Sequence, residues 1–245
     1  MKNFFSSIRP WVLSAVFFVL VTVFLVSCSK FDDDDISSNT PVAGLMAFNL
    51  APDQNAVGIA LSGNDLTNAP LAYTNYTGTY QRIYTGNREL ESYDVNKDST
   101  LATINYNFEA EKYYSLFMVG ANGVYKNIIT HDNFDSLHST SGKAYIRYIN
   151  AIPDSAAPTV TIAANGTNVV NAPAPFSSIS EFTAADPGQL VITVKNNGTI
   201  DANRNISLEQ GKVYTVLLTG IPGATDTTKA VQIKYILNGS LNSGQ

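Results

Sequence analysis

Gly142-Lys143-Ala144-Tyr145-Ile146-Arg147-Tyr148-Ile149-Asn150-Ala151-Ile152-Pro153-Asp154 decides the reading of this chain, because a shorter version stands earlier as Gly44-Leu45-Met46-Ala47-Phe48-Asn49-Leu50-Ala51-Pro52-Asp53. Asn49, Pro52 and Asp53 precede Asn150, Pro153 and Asp154 by 101 positions. The echo runs on. Asn68-Ala69-Pro70 returns as Asn171-Ala172-Pro173 at an offset of 103, Gly86 as Gly188 at 102, and Lys112, Tyr114 and Gly120 as Lys212, Tyr214 and Gly220 at 100. Offsets that drift so little along the whole length mark two tandem copies of one domain, small loop insertions causing the drift. A period of about a hundred residues is the size of a domain, not of a solenoid unit.

Around these anchors lie short β-patterned runs separated by turn residues, with no sustained helical periodicity. Leu190, Ile192 and Val194 alternate with Val191, Thr193 and Lys195, and Val231, Ile233 and Tyr235 alternate with Gln232 and Lys234, so each run offers one apolar face. Asn196-Asn197-Gly198 suits the left-handed backbone of a hairpin turn. Seven strands are expected per copy, at 44–50, 56–61, 79–84, 88–94, 101–108, 112–119 and 123–130, and at 143–150, 159–164, 177–183, 189–195, 202–208, 212–219 and 229–237. That count predicts an all-β chain of two tandem immunoglobulin-like β-sandwich domains. The expected boundaries are a signal peptide at 1–27, an acidic tether at 28–42, domains at 43–130 and 143–238 joined by a polar linker at 131–142, and a tail at 239–245.

Gly142-Lys143-Ala144, Ile146 to Ala151, Pro153-Asp154, the preceding Asp132-Asn133 and the later Gly211-Lys212 with Tyr214 resemble the DUF4397 family of secreted and cell-surface β-sandwich domains. The resemblance covers both copies, roughly residues 44–237. The first copy departs from it, with Ala47 where the second has Arg147 by offset and no lysine after Gly44. That family has no established activity, so the resemblance implies fold and location and transfers no catalytic residue.

Lys2 and Arg9 precede an apolar run from Trp11 to Val26 that is short for a membrane span and ends in Leu25-Val26-Ser27-Cys28. This resembles the bacterial lipobox, in which cleavage leaves an acylated cysteine. Cys28 is the single cysteine of the chain, so it is the expected lipidation site and no disulfide is expected. Asp32 to Asp35 follow at once; the run reads as a solvated tether and resembles the signal that sends lipoproteins of Bacteroidetes outward. The expected location is the outer membrane, lipid-anchored and facing the exterior. Without Lys2 and Arg9 the formal charge moves from −5 to −7, which gives nucleic acid no electrostatic footing.

No catalytic constellation is legible. The two histidines, His131 and His138, fall in the expected linker, and no nucleophile elbow, zinc-binding helix motif or phosphate loop occurs. Asp94-Val95-Asn96-Lys97-Asp98 starts like a calcium loop, making Asp94, Asn96 and Asp98 weak metal candidates, but the glycine and closing glutamate of that motif are missing. No cofactor is expected. Tyr73 and Tyr76, set among Thr and Asn, are the candidate partner-binding residues, since tyrosine brings contact area at low entropic cost. The expected role is a non-catalytic binding or accessory module for a membrane partner, a glycan or an extracellular protein. The alternatives are an envelope spacer and a hydrolase using carboxylates.

Overall fold

The computed structural model describes residues 40–138, 142–153 and 157–241. The expected signal peptide, Cys28 and residues 28–39 of the tether lie outside the described residues. The first repeat comprises β1 (Val42–Asn49), β2 (Val57–Leu61), β3 (Asn64–Asp65), β4 (Gln81–Tyr84), β5 (Gly86–Asp94), β6 (Ser99–Phe108), β7 (Tyr113–Ala121) and β8 (Val124–His131). The second comprises β9 (Ala144–Asn150), β10 (Thr159–Ala164), β11 (Thr167–Pro173), β12 (Thr183–Ala185), β13 (Gly188–Lys195), β14 (Asp201–Leu208), β15 (Lys212–Thr219) and β16 (Gln232–Ser240). Each repeat builds two four-stranded sheets in matching order: β4-β1-β7-β8 and β3-β2-β5-β6 in the first, β12-β9-β15-β16 and β11-β10-β13-β14 in the second. β1 runs parallel to β7, and β9 to β15.

Eight strands per repeat replace the seven expected. The added pair is β3 and β11, and β11 was illegible because Thr167-Asn168-Val169-Val170-Asn171-Ala172-Pro173 is exposed or half-buried throughout and lacks a one-faced apolar alternation. Of the strand expected at 177–183, only its last residue, Thr183, lies in the short β12.

Inside each repeat the two sheets share a core. Leu45, Ala47 and Leu116 face Val57, Ile59, Leu90 and Phe108 in the first; Ile146, Tyr148 and Val216 face Val160, Ile162, Ile192 and Val194 in the second. A third cluster lies between the repeats, where Met46, Phe48, Leu50, Phe117 and Val119 meet Ile149, Ala151, Leu217 and Ile236. The β1- and β9-containing sheets are therefore covered on both faces, which is why β9 is buried at all seven positions.

The repeated residues turn out to shape the backbone. Asn49 Nδ2 donates to the carbonyls of Gln54 (2.8 Å) and Leu71 (3.0 Å) while its Oδ1 accepts the Ala51 amide (3.1 Å). Asn150 repeats this with the Ala174 carbonyl (2.7 Å) and Ile152 amide (3.0 Å). Leu71 and Ala174 each follow a copy of Asn-Ala-Pro, so two of the sequence echoes are partners in one buried hydrogen-bond set. The hydroxyls of Tyr114 and Tyr214 accept the amides of Glu109 and Glu209, both at 3.1 Å, forming a tyrosine corner in each copy. Gly120 and Gly220 sit at φ +127° and +114°, where a Cβ would stand 2.1 Å and 2.3 Å from the carbonyl oxygens of Val124 and Ala230.

The repeats lie side by side. Tyr113, at the start of β7, shares a cleft with Val213 and Ser240, at the start of β15 and end of β16. At the other end Thr219, closing β15, donates to the carbonyl of Leu50, just beyond β1 (3.3 Å).

Candidate functional site

One charge decides how the repeats are joined. Arg147 points from β9 into the seam at 2% exposure, where an unpaired guanidinium would be costly. Its Nη1 lies 2.5 Å from Oδ1 of Asp132, itself 1% exposed and just past β8 of the first repeat. Nη2 donates to Ser115 Oγ and Nε to Thr215 Oγ1, both at 3.0 Å. Ser115 and Tyr80 in turn donate to Asp132 Oδ2 at 2.6 and 2.5 Å. Thr215 donates to Asn238 Oδ1 (2.6 Å), and Asn238 Nδ2 donates to the Tyr80 hydroxyl (3.2 Å), closing a ring of bonds across the seam. The guanidinium also lies over Phe182, 4.4 Å from the ring centroid. Burial, with the Asp132 charge and hydrogen bond adding to it, pushes the Tyr80 hydroxyl pKa far above its ordinary value. A carboxylate so neutralised is a fastening and not an acid or base for hydrolysis.

Asp132 belongs to the segment read from sequence as a polar linker, and its burial was missed. The signal was there: one arginine inside the apolar run from Ala144 to Ile149 demands a buried acid. The register corrects the counterpart assigned by offset. Met46 pairs with Ser115 as Arg147 pairs with Thr215, so Met46, not Ala47, stands where the second repeat has Arg147.

Tyr73 and Tyr76 lie where the chain crosses from the β2 sheet to the β1 sheet, and both are half-buried. The Tyr73 hydroxyl is 3.0 Å from Thr219 Oγ1 of the second repeat. Burial raises its pKa, with the bonds to Thr219 and Gln232 acting in the opposite sense. Tyr76 stacks on Phe48 with centroids 5.2 Å apart and an interplanar angle of 12°. Its exposed side borders a depression of ≈ 420 Å³ formed by residues 66–71 and 75–77 with Gln81. The structure thus gives both tyrosines a share of the seam and brings Tyr76 to an open concavity.

A second concavity of ≈ 290 Å³ opens at the end where the chain enters, between Tyr80, Tyr113 and Phe134 of the first repeat and Val213, Asn238 and Ser240 of the second. Tyr113 is 45% exposed and lies against Gly44, where a Cβ would come within 2.6 Å of the ring. Its ring meets Tyr80 edge-on at 5.1 Å.

The calcium candidates sit in the β5–β6 hairpin turn. Asp94 Oδ1 accepts the Asn96 amide (3.0 Å) and Oδ2 pairs with Lys97 (3.1 Å), so both oxygens serve the turn itself. The Lys97 bond holds the Asp94 carboxyl below its usual range. Among the described residues no group of three or more His, Cys, Asp or Glu side chains is arranged to hold a metal. His131 closes β8 with its ring 5.3 Å from that of Tyr114, rather than lying in the linker. Among the described residues no helix is long and apolar enough to cross a membrane.

No curated protein matches the chain at a significant level. Among solved structures, candidate cell adhesion proteins from Bacteroides uniformis and Bacteroides eggerthii are each 11% identical to it. Both alignments cover 82% of this chain, with 99% of the first protein at a TM-score of 0.25 and 96% of the second at 0.26. CBMbc (family CBM26) from Eubacterium rectale Amy13K, in complex with maltoheptaose, is 12% identical over 82% of this chain and 98% of that one, with a TM-score of 0.23. At these scores nothing of fold or function is carried across. The sequence is matched by one family at residues 43–157 and again at 144–235, and the chain belongs to it: Domain of unknown function (DUF4397).

Proposed function

We propose that this protein is a non-catalytic binding module, held on the outer face of the outer membrane by acyl chains on Cys28, that takes a glycan, an extracellular protein or a membrane partner through its first repeat. The observation that carries the reading is the side-by-side seam. A spacer gains reach by stacking repeats end to end. Here the buried Arg147–Asp132 pair fixes the repeats in parallel, so the body keeps the ~30 Å height that strands of eight or nine residues give and doubles in width. Width without height suits a rigid surface that presents loops, and rigid scaffolds are where binding residues are held in register. The units 43–130 and 143–238 are then halves of one folding body, each immunoglobulin-like in its paired sheets and tyrosine corner. Tyr73 and Tyr76 are the proposed contact residues, with Tyr76 the one at an open concavity.

Two measurements test this. Protease added to intact cells is expected to cut the protein as it cuts a known surface protein; full protection would remove the outward location. Cross-linking of living cells, followed by mild extraction and mass spectrometry, is expected to lose its captured ligand in a Tyr76→Ile variant. That variant copies the second repeat, in which Ile179 makes the same bridge to Ile149 as Tyr76 makes to Phe48. Capture unchanged by the substitution would sink the assignment of the site.

A further inference from the structure

The depression beside Tyr76 has a chemical character of its own. The segments that line it carry no charged side chain, in a protein with 35 Lys, Arg, Asp and Glu residues. Its volume of ≈ 420 Å³ lies within the range of about 300–1,000 Å³ usual for small-ligand sites. One wall is aromatic and fixed, because the Tyr76 ring is stacked on Phe48, which in turn stacks on Phe117 at 4.7 Å. The rest is amide and hydroxyl. Among the described residues the side chains of Asn68 and Asn75, both exposed, make no hydrogen bond within the protein, so each offers a free donor and acceptor. Thr67 Oγ1 donates to the Ala69 carbonyl (2.9 Å), which leaves its lone pairs free to accept. Gln81 Nε2 likewise turns to the carbonyl and hydroxyl of Thr79, leaving Oε1 to accept.

We infer that this depression binds an uncharged glycan, a conclusion that rests on the binding role proposed above and narrows it. A sugar ring presents C–H groups that pack on an aromatic face and hydroxyls that both donate and accept, which is the complement of Tyr76 with Asn68, Asn75, Thr67 and Gln81. An anionic polymer would find no cation here. A peptide strand would ask for an unbroken edge of strand backbone, whereas the lining from Leu66 to Thr77 is turn and irregular chain apart from single bridges at Leu71 and Tyr76.

The test is affinity electrophoresis of the full chain in detergent through gels containing neutral polysaccharides (glucan, mannan, xylan, galactan) or anionic ones (polygalacturonate, heparin). Retardation by at least one neutral polymer is expected, little changed between 50 and 500 mM salt because no ion pair forms. Asn75→Ala and Tyr76→Ile are each expected to weaken it at least tenfold, while Tyr113→Ala, in the other concavity, leaves it alone. Retardation by anionic polymers alone, by none, or by neutral ones with Asn75→Ala and Tyr76→Ile ineffective would overturn the proposal. Asn75→Ala keeps the test valid should Tyr76→Ile unfold the seam. The binding role itself is read separately: loss of a cross-linked protein partner in Tyr76→Ile, without any glycan retardation, leaves that role standing while the glycan falls.

Discussion

The two repeats agree where residues shape the backbone and differ where they face each other or the solvent. Asn49 and Asn150, Tyr114 and Tyr214, and Gly120 and Gly220 do the same work in both. At the seam the first repeat places Met46 where the second has Arg147. Asp132, after the β8 residue paired with Tyr114, answers to Asn238, after the β16 residue paired with Tyr214. Each copy thus holds half of one ion pair. Duplication made the fold twice, and divergence at the seam made the halves complementary instead of interchangeable.

The sharpest way to break that complementarity is to erase it. Arg147→Met gives the second repeat the residue of the first and strands Asp132 in the seam, so urea denaturation is expected to show a loss of about 3–5 kcal/mol. Adding Asp132→Asn, which gives the first repeat the residue of the second, is expected to return most of that loss, because a neutral pair has no buried charge left to satisfy. A double variant as unstable as the single one would mean that the ion pair itself, and not the avoidance of an unpaired charge, holds the seam.

The shared residues should respond in parallel, with a difference in degree. Asn49 satisfies three backbone groups and Asn150, among the described residues, two. Asn49→Ala is therefore expected to cost about 2–4 kcal/mol and Asn150→Ala somewhat less, since each orphaned buried group carries its own desolvation penalty. Equal losses would show that water replaces the third bond.

How far this was legible in the sequence follows from the same residues. Asn49 and Asn150, the two Asn-Ala-Pro segments and the tyrosine pair announced the duplication because backbone geometry tolerates few substitutes at such places. β11 stayed hidden because, exposed or half-buried throughout, it carries no one-faced apolar alternation. The seam stayed hidden for a different reason. β1 and β9 read as ordinary apolar strands, and an apolar run does not say whether its second face meets a partner, another domain or the rest of its own fold. Only Arg147 pointed to a buried acid, and nothing local pointed to Asp132 as that acid.

Alkaline stability reports on the ring of bonds from the side of the first repeat. The folded-state pKa of Tyr80 is raised above the unfolded value of about 10, so its contribution is complete below that pH and fades as pH climbs toward the folded value. Tyr80→Phe is expected to lower stability by about 1–2 kcal/mol at neutral pH and to flatten its decline above pH ~10. Smaller again, and alike in both repeats, are Tyr114→Phe and Tyr214→Phe at about 1 kcal/mol each, read from the urea midpoint; a clear inequality would mean that one corner is better hydrated than the other.

The smallest effect contrasts two hairpin turns. Asp94 accepts the Asn96 amide and pairs with Lys97, whereas Asn196, in the same place after β13, accepts the amides of Gly198 (2.8 Å) and Ile200 (3.0 Å) with no charge. Because the Asp94 pKa is lowered on folding, its contribution is present above the ordinary aspartate value of about 3.9 and is lost as pH falls through the depressed one. Protection of the amides in the 94–98 turn, taken relative to their intrinsic exchange rates, is therefore expected to fall below pH ~4 while that of the 196–200 turn stays steady, and Asp94→Asn is expected to make the first turn behave like the second. The same exchange measurement bears on the calcium reading. With both Asp94 oxygens serving the turn, millimolar calcium is expected to leave its exchange unchanged, and calcium-dependent protection confined to the 94–98 turn would show instead that the ion displaces Lys97.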